Sequence, residues 1–462
     1  MSGPLEALAG APDGVWLVGG ALRDRLLGRQ TADYDLAVAG DPATVARALG
    51  RDAGGYVFEL SGAFAAWRVV AHDRTWQVDV LPVTGGSIEA DLVARDLTVN
   101  AIAQPLAGGD YVDPSGGLGD LRARRLRMVS PRAFASDPLR TLRLVRLACE
   151  LDFEPEPETA TAAQAQAPAL QAVAPERIFG ELRRILSSPR ALAGFDLMAT
   201  TGVTAAVLPE LEALRGVQQS RFHHLDVYDH TRVVLQQTIE LELDPERSFP
   251  GHGQAIASLL AEPLANELTR AGALRFGALF HDIAKPQTRA VTDEGRVTFM
   301  GHDQAGADFA RTVLRRLRAS ERLADYVAAL TRHHLRLGFL VHEMPLNRRA
   351  VYGYLRVCAP VQVDVTLLSV ADRLATRGDG AERAIAKHLE LARQLVGEAL
   401  SWEADPPRPP VRGDQLTKAL GIRSGRLVGQ VLAELEEASF AGEIADSDEA
   451  IERARQLLND GG

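Results

Sequence analysis

The chain has 462 residues, 46% hydrophobic and 24% charged, more than one hydrophobic core can serve, so several domains are expected. A net charge of −10 excludes a protein that coats nucleic acid through its overall field, and leaves room for a local basic face. No apolar run is long enough to span a bilayer, and the opening MSGPLEALAG lacks the basic-then-apolar order of a secretory signal, so a soluble, cytoplasmic protein with no membrane partner is expected. Cys149 and Cys358 are too few and too far apart for a disulfide framework or a Cys-based zinc site, which leaves two buried thiols.

Residues 1–129 alternate the β-rich runs VWLVGG, DYDLAVAG, WRVVAHD and TWQVDVLPV with helical stretches such as DPATVARALGRDAG, the pattern of a small α/β sheet domain. From Ser130 the strand signals stop, and PLRTLRLVRLACELDF and PERIFGELRRILSS predict a helical neck over 130–220; ATAAQAQAPALQA also reads as helix. Near Arg221 histidines appear in RFHHLDVYDH and continue through LFHDIAKP, FMGHDQ and TRHHLRL, which marks a separate all-α body over 221–400. Pro406, Pro407, Pro409 and Pro410 predict an extended linker, with a small helical tail completing 401–462.

The most informative stretch is LVGGALRDRLLGRQTADYDLAV. Gly19 and Gly20 stand between an apolar strand and a helix, where backbone amides can approach phosphates. Asp33 and Asp35 sit two apart in a strand, so both carboxylates share one face and call for a cation. Carboxylate oxygens suit Mg²⁺, which keeps phosphate oxygens and water as further ligands, and a pair of such ions supports in-line displacement of pyrophosphate by a hydroxyl. Asp79, between Val78 and Val80, is the best candidate for a third carboxylate.

The order GGALRD, DYD, ARDLTVNA at 94–101 and DPLRTLRLVRL at 137–147 resembles the bacterial CCA-adding enzyme and poly(A) polymerase family, the class II branch of the polymerase-β-like nucleotidyltransferases. The resemblance implies a polymerase-β-like head in which Gly19, Gly20, Arg23 and Asp24 hold the incoming triphosphate, Asp33 and Asp35 bind the metals, and Asp79 is the third carboxylate. Arg95, Asp96 and Asn100 match the motif that favours ribonucleotides, and Asp137 and Arg140 fall where the family reads the base. Arg143 and Arg146 read as a solvated helix stripe. Ser136 replaces the family's usual Glu and Ala94 its usual first arginine, so base selection carries over less directly than chemistry. VLPVTGGSIEADLVA, between Asp79 and Arg95, is shorter than the flexible loop that CCA-adding members carry, which predicts addition of CC alone.

His230, the adjacent His281 and Asp282, and Asp372 occur in DVYDHTRVV, ALFHDIAKP and SVADRLAT, each readable as helix. Their order resembles the HD superfamily of metal-dependent phosphohydrolases, with His302 and His333 or His334 as further ligands and Lys285 nearby. Imidazole with carboxylate suits Mn²⁺, Ni²⁺ or Fe²⁺ better than Mg²⁺. Two arginine clusters, Arg122, Arg124, Arg125 and Arg127, and Arg315, Arg316 and Arg318, are candidates for tracking an RNA backbone or for solvated faces. The expected activity is template-independent nucleotide addition from CTP, and in the wider reading ATP, to a tRNA 3′ end. The alternatives are a poly(A) polymerase, an HD phosphohydrolase whose head only binds nucleotide, and a non-catalytic RNA-binding protein.

Overall fold

The computed structural model describes residues 4, 13–62, 65–219, 224–377 and 380–460. Most of the opening segment read for a secretory signal, and Arg221 with its neighbours to His223, lie outside the described residues. The chain divides into two compact units, 1–207 and 208–462.

The first unit is built on a six-stranded sheet of β1 (Val15–Val18), β2 (Asp33–Val38), β3 (Gly55–Ser61), β4 (Ala66–Ala71), β5 (Gln77–Pro82) and β6 (Ala103–Pro105), in the order β3-β4-β5-β2-β1-β6. Only β2 and β5 run parallel; the other neighbours are antiparallel. Two of these strands escaped the sequence reading: β6 is too short to show a period, and β3 follows directly on α2 (Pro42–Ala53), whose helical pattern masks its start. Asp41 caps α2 by accepting from the amides of Ala43 and Thr44, and Pro42 at its first position fixes the entry.

One face of the sheet carries the core. Leu17, Leu36, Val38, Val69, Val78 and Val80 pack with Val45, Ala46 and Leu49 of α2, and Leu144, Leu147 and Leu151 join the same cluster. The last three belong to the helix Arg140–Leu151, which opens the predicted neck. The neck therefore shares its core with the head, the physical reason the two form one unit. On the other face, a smaller cluster of Val18, Ala37, Ile88, Leu92, Ala101 and Ala103 covers only the β1–β6 side.

The second unit is helical, with two-stranded pairs Pro263–Ala265 with Leu268–Thr269 and Ala290–Val291 with Val297–Thr298. Like Arg125–Leu126 with Glu154–Pro155 in the first unit, these are too short for periodicity to reveal, and they are small additions to a body that is helical as expected. The Ala/Gln-rich segment is helix over Pro157–Gln166 and changes to a 3₁₀ turn over Ala167–Ala172, where Pro168 falls. Beyond the helix Ala381–Ala404, the proline segment is irregular until the tail helices Gly413–Leu420, Arg426–Ala441 and Ser447–Asp460. Both cysteines are buried, and burial pushes each thiol up to about 12.

Candidate functional site

Asp33 and Asp35 lie at the start of β2, on the face that continues through Ala37 into the smaller apolar cluster. Alternation turns Tyr34 and Leu36 into the main core and leaves the carboxylates at the open end of the strand. Opposite Asp35 on β1 stands Val18, and the chain turns directly into α1 (Gly19–Leu26). No side chain caps this helix, so its first amides face the carboxylates with their partial positive charge. Gly19 has φ +72°, and a Cβ there would lie 3.0 Å from Asp35 Oδ2 and 3.2 Å from an Arg95 guanidinium nitrogen. Close approach of backbone to carboxylate is what requires glycine here.

A cavity of about 400 Å³ opens at this point, lined by Gly19, Gly20, Arg23, Asp24, Asp33, Asp35, Arg95, Asp96, Asn100 and Arg140, all predicted from sequence. The lining also includes Ala21, Thr31, Arg143, Arg146 and Arg184. Arg143 and Arg146 are therefore not a solvated stripe. Arg146 is buried, held by Glu181 at 2.5 Å and Glu150 at 2.7 Å, while Arg143 reaches Asp96 at 3.0 Å. The three-residue spacing of Arg140, Arg143 and Arg146, one helix face, was the available signal. Arg184, from the helix Pro175–Ser187, had none.

The polar wall is pre-set by a chain of hydrogen bonds. Arg23 donates to Asn100 at 2.7 Å and forks onto Asp24, and Asn100 donates to Asp96 at 3.1 Å. Burial alone would push the Asp96 carboxyl up, but Arg143, the Asn100 amide and the Leu97 N–H outweigh it and hold the group below the usual carboxylate range. Asp35 moves the other way: burial, with Asp79 and Asp33 beside it, raises its carboxyl against the pull of Arg95 and Arg143. Arg95 is braced by Asp91 at 3.0 Å, and Arg140 donates to the carbonyls of Ala94, Arg95 and Ala133.

Two predicted residues stand outside the lining. Asp79 is register-paired with Asp35 across the parallel β2–β5 ladder, yet its carboxylate is gripped from β4 by Arg68 at 2.6 and 2.8 Å. Asp137 accepts from the Leu139 amide and pairs with Arg177 at 2.8 Å, so its carboxylate points to the neck rather than into the cavity. Of the arginine clusters, Arg125 and Arg127 converge on the buried Asp120, and Arg315 and Arg316 pair with Glu321 and Glu210. These four are committed to carboxylates of their own unit.

In the second unit, His230 comes from the helix Val227–Leu243 and Asp372 from Gln362–Ala375, as expected. His281 and Asp282 correct the helix reading: they lie in the turn just past the helix Arg270–Phe280. His302 opens the helix His302–Arg316, and His334 follows Glu321–His333. His333 instead accepts from Arg336. The structure brings these residues together around the buried Asp282. His230, His281 and Asp282 form one potential metal-holding group, and Asp282, His302 and His334 a second; Asp372 lies 3.0 Å from His230.

The local backbone fixes the tautomers. Nδ1 of His281, His302 and His334 each contacts a carbonyl three residues back, those of Ala278, Phe299 and Thr331, at 2.8, 2.6 and 2.6 Å. Each ring must then carry its proton on Nδ1, and each Nε2 is buried without a hydrogen-bond partner among the described residues. Burial, with His281 beside it, pushes His334 down to about 4, the neutral form a ligand needs. Against burial, which would lower it, Asp282 raises the His281 imidazole, whose Nε2 lies 3.1 Å away, and His302 Nε2 lies 3.3 Å from the same carboxylate. Imidazole nitrogens converging on one buried carboxylate are a donor set that fits a transition metal. Lys285 adds a cation 2.7 Å from Asp282.

A strand, an uncapped glycine turn, paired carboxylates and an arginine-lined cavity define a nucleotidyltransferase head, and the histidine cluster an HD-type body. Residues 15–81 and 64–127 match the poly A polymerase head domain, 152–214 the probable RNA and SrmB-binding site of polymerase A, and 227–377 the HD domain. The chain is 36% identical to the A-adding tRNA nucleotidyltransferase of Deinococcus radiodurans, over 95% of its length and 94% of the relative's. It is also 36% identical to the CC-adding tRNA nucleotidyltransferase of Thermus thermophilus, over 95% and 92%. This chain belongs to the family of bacterial tRNA nucleotidyltransferases. Its fold is that of the Thermotoga maritima CCA-adding enzyme solved in complex with tRNA, at 19% identity, a TM-score of 0.65 and coverage of 98% and 94%.

Proposed function

We propose that this chain extends the 3′ end of tRNA without a nucleic-acid template, joining nucleotides from CTP with release of pyrophosphate. The observation that carries this reading is the placement of Asp33 and Asp35 on one sheet face at the mouth of a cavity walled by a helix N-terminus and arginines. Asp33 and Asp35 would hold Mg²⁺, which supplies activation of the attacking hydroxyl and charge neutralisation at the phosphates. The amides at Gly19 and Gly20 cradle phosphate oxygens, and Arg95 and Arg143 offer donors to the same group. Asp96, fixed by Asn100 and Leu97, is the acceptor for a ribose hydroxyl. Arg140 braces the wall on which the base lies; reading by Asp137 requires its release from Arg177.

Addition of CC alone is the specificity we propose. Between β5 and the helix α3 (Ile88–Val93) the connection is short and pinned, because the Thr84 amide and hydroxyl both donate to Asp91. That leaves little chain to reorient donors and acceptors for a second base, and an unmatched base leaves buried polar groups unpaired at about 1–3 kcal/mol each. Addition of the terminal A is the second reading, because the A-adding relative is 36% identical, as is the CC-adding one. Three tRNA substrates, ending before the first C, after one C and after both, with CTP and ATP supplied separately, decide it: ATP incorporation on the last rejects the CC reading.

The HD centre would hold Mn²⁺, Ni²⁺ or Fe²⁺ through His230, His281, Asp282, His302, His334 and Asp372. Its donor set and Lys285 support a phosphohydrolase activity alongside nucleotide addition.

A further inference from the structure

We propose that the sheet face running from Asp79 across β4 to the edge strand β3, with Phe58 and Tyr56 at its margin, seats the single-stranded 3′ end of the RNA being extended. This rests on the nucleotidyl-transfer reading above and adds to it the side from which the RNA enters and the rings that hold it. Register pairing places Asp35 beside Asp79, Asp79 beside Arg68, and Arg68 beside Phe58. The next row runs Asp33, Gln77, Val70, Tyr56. Directly paired residues project from the same face, so the aromatic rings and the metal-binding carboxylates stand on one continuous surface, three strand spacings or roughly 14 Å apart.

The exposure is uneven in a telling way. Val57, Val69 and Val78, on the opposite face, pack into the main core, whereas Tyr56 is 63% and Phe58 44% exposed. The Tyr56 ring packs edge-on against His72, with centroids 4.6 Å apart, which steadies it while leaving it exposed. Large exposed apolar groups on an edge strand otherwise invite strand pairing between chains. Displacement at a phosphate provides the reason for their position. Entering and leaving oxygens lie roughly in line on opposite sides of the phosphorus. On the nucleotidyl-transfer reading, the triphosphate and its leaving pyrophosphate occupy the cavity whose wall includes Gly19, Gly20 and Arg23, on the β1 and α1 side of β2. The attacking 3′-hydroxyl therefore arrives from the other side, over β5, β4 and β3. Stacking on aromatic rings tolerates any base, which suits a strand that advances by one nucleotide after each addition, so that a different base upstream of the terminus comes to lie on the rings.

The test uses the full chain and a tRNA-like hairpin whose unpaired 3′ end carries 2-aminopurine upstream of its last nucleotide, at the distance that separates the rings from the carboxylates. Stacking on the wild type quenches the fluorophore, and Phe58→Ala with Tyr56→Ala restores its emission. The double variant should raise Kd and KM for RNA by about 5- to 150-fold per stacked base, with KM for CTP as in the wild type. Phe58→Trp should recover RNA affinity, which a general folding defect would not allow. Unchanged quenching and RNA affinity in the double variant overturn the proposal. So does a wild-type dimer in sedimentation that Phe58→Ala dissociates, since the face would then belong to a second copy. If the wild type quenches the probe but extends no RNA, it is the nucleotidyl-transfer reading that fails, while the RNA seat stands.

Discussion

At the residue scale, function depends on side chains that stability would not choose. Asp35 is raised by burial and by two neighbouring carboxylates, so Asp35→Asn removes repulsion along with a ligand. Nucleotide incorporation should fall to background while the thermal midpoint holds or rises, measured by labelled CTP addition and calorimetry on the same preparation. Gly19→Ala should lose on both counts. Its Cβ meets Asp35 and Arg95 in a backbone conformation that L side chains resist, so a loss of roughly 1 kcal/mol or more should accompany impaired turnover. The paired carboxylates were legible because period-two spacing needs no tertiary knowledge. The clamp of Arg68 on Asp79 was not, because it depends on which strand β5 finds as its neighbour.

Elements are held in register by buried carboxylates that never touch substrate. Asp120, in the helix Gly117–Arg122, accepts from Thr98 at 2.7 Å, Arg125 at 2.8 Å and Arg127 at 2.9 Å. Thr98 begins the turn that ends in Asn100, so this carboxylate positions one wall of the cavity. Burial would push Asp120 up, but the Thr98 hydroxyl and the two guanidinium groups prevail and hold it below its usual range. A depressed folded-state pKa contributes stability that is present above the unfolded value, about 3.9, and is lost as pH falls through the folded one. Asp120→Asn should therefore cost on the order of 3 kcal/mol near neutral pH, with the gap to wild type narrowing below about pH 4. A gap independent of pH, in denaturant titrations from pH 3 to 7, would show that the charge is not what matters. The arginines that Asp120 gathers had suggested an RNA track in sequence, and only the fold revealed the carboxylate beneath them.

Across the whole molecule, the two units present separate chemistries, hard carboxylate oxygens in one and imidazole nitrogens in the other. Purified protein should retain a transition metal, and chelation should lower the melting transition of the helical unit, since an ion bound only to the folded state stabilises it by mass action. His281→Ala with Asp282→Ala should abolish both metal content and the chelator effect, while CTP addition survives. If metal analysis finds the double variant still loaded, the histidine cluster is not the site. What the sequence by itself determined is local: the Gly-Gly turn, the same-face Asp33 and Asp35, and the recurring histidines, each read from spacing along one strand or helix. Tertiary structure alone decided which groups meet. It put the arginines at 143, 146 and 184 around one cavity, bound the neck to the head through a common core, and turned three Nε2 atoms toward Asp282 by fixing each Nδ1 on a backbone carbonyl. Spacing records which face a side chain takes on its own element, whereas partnership depends on long-range packing that no local pattern encodes.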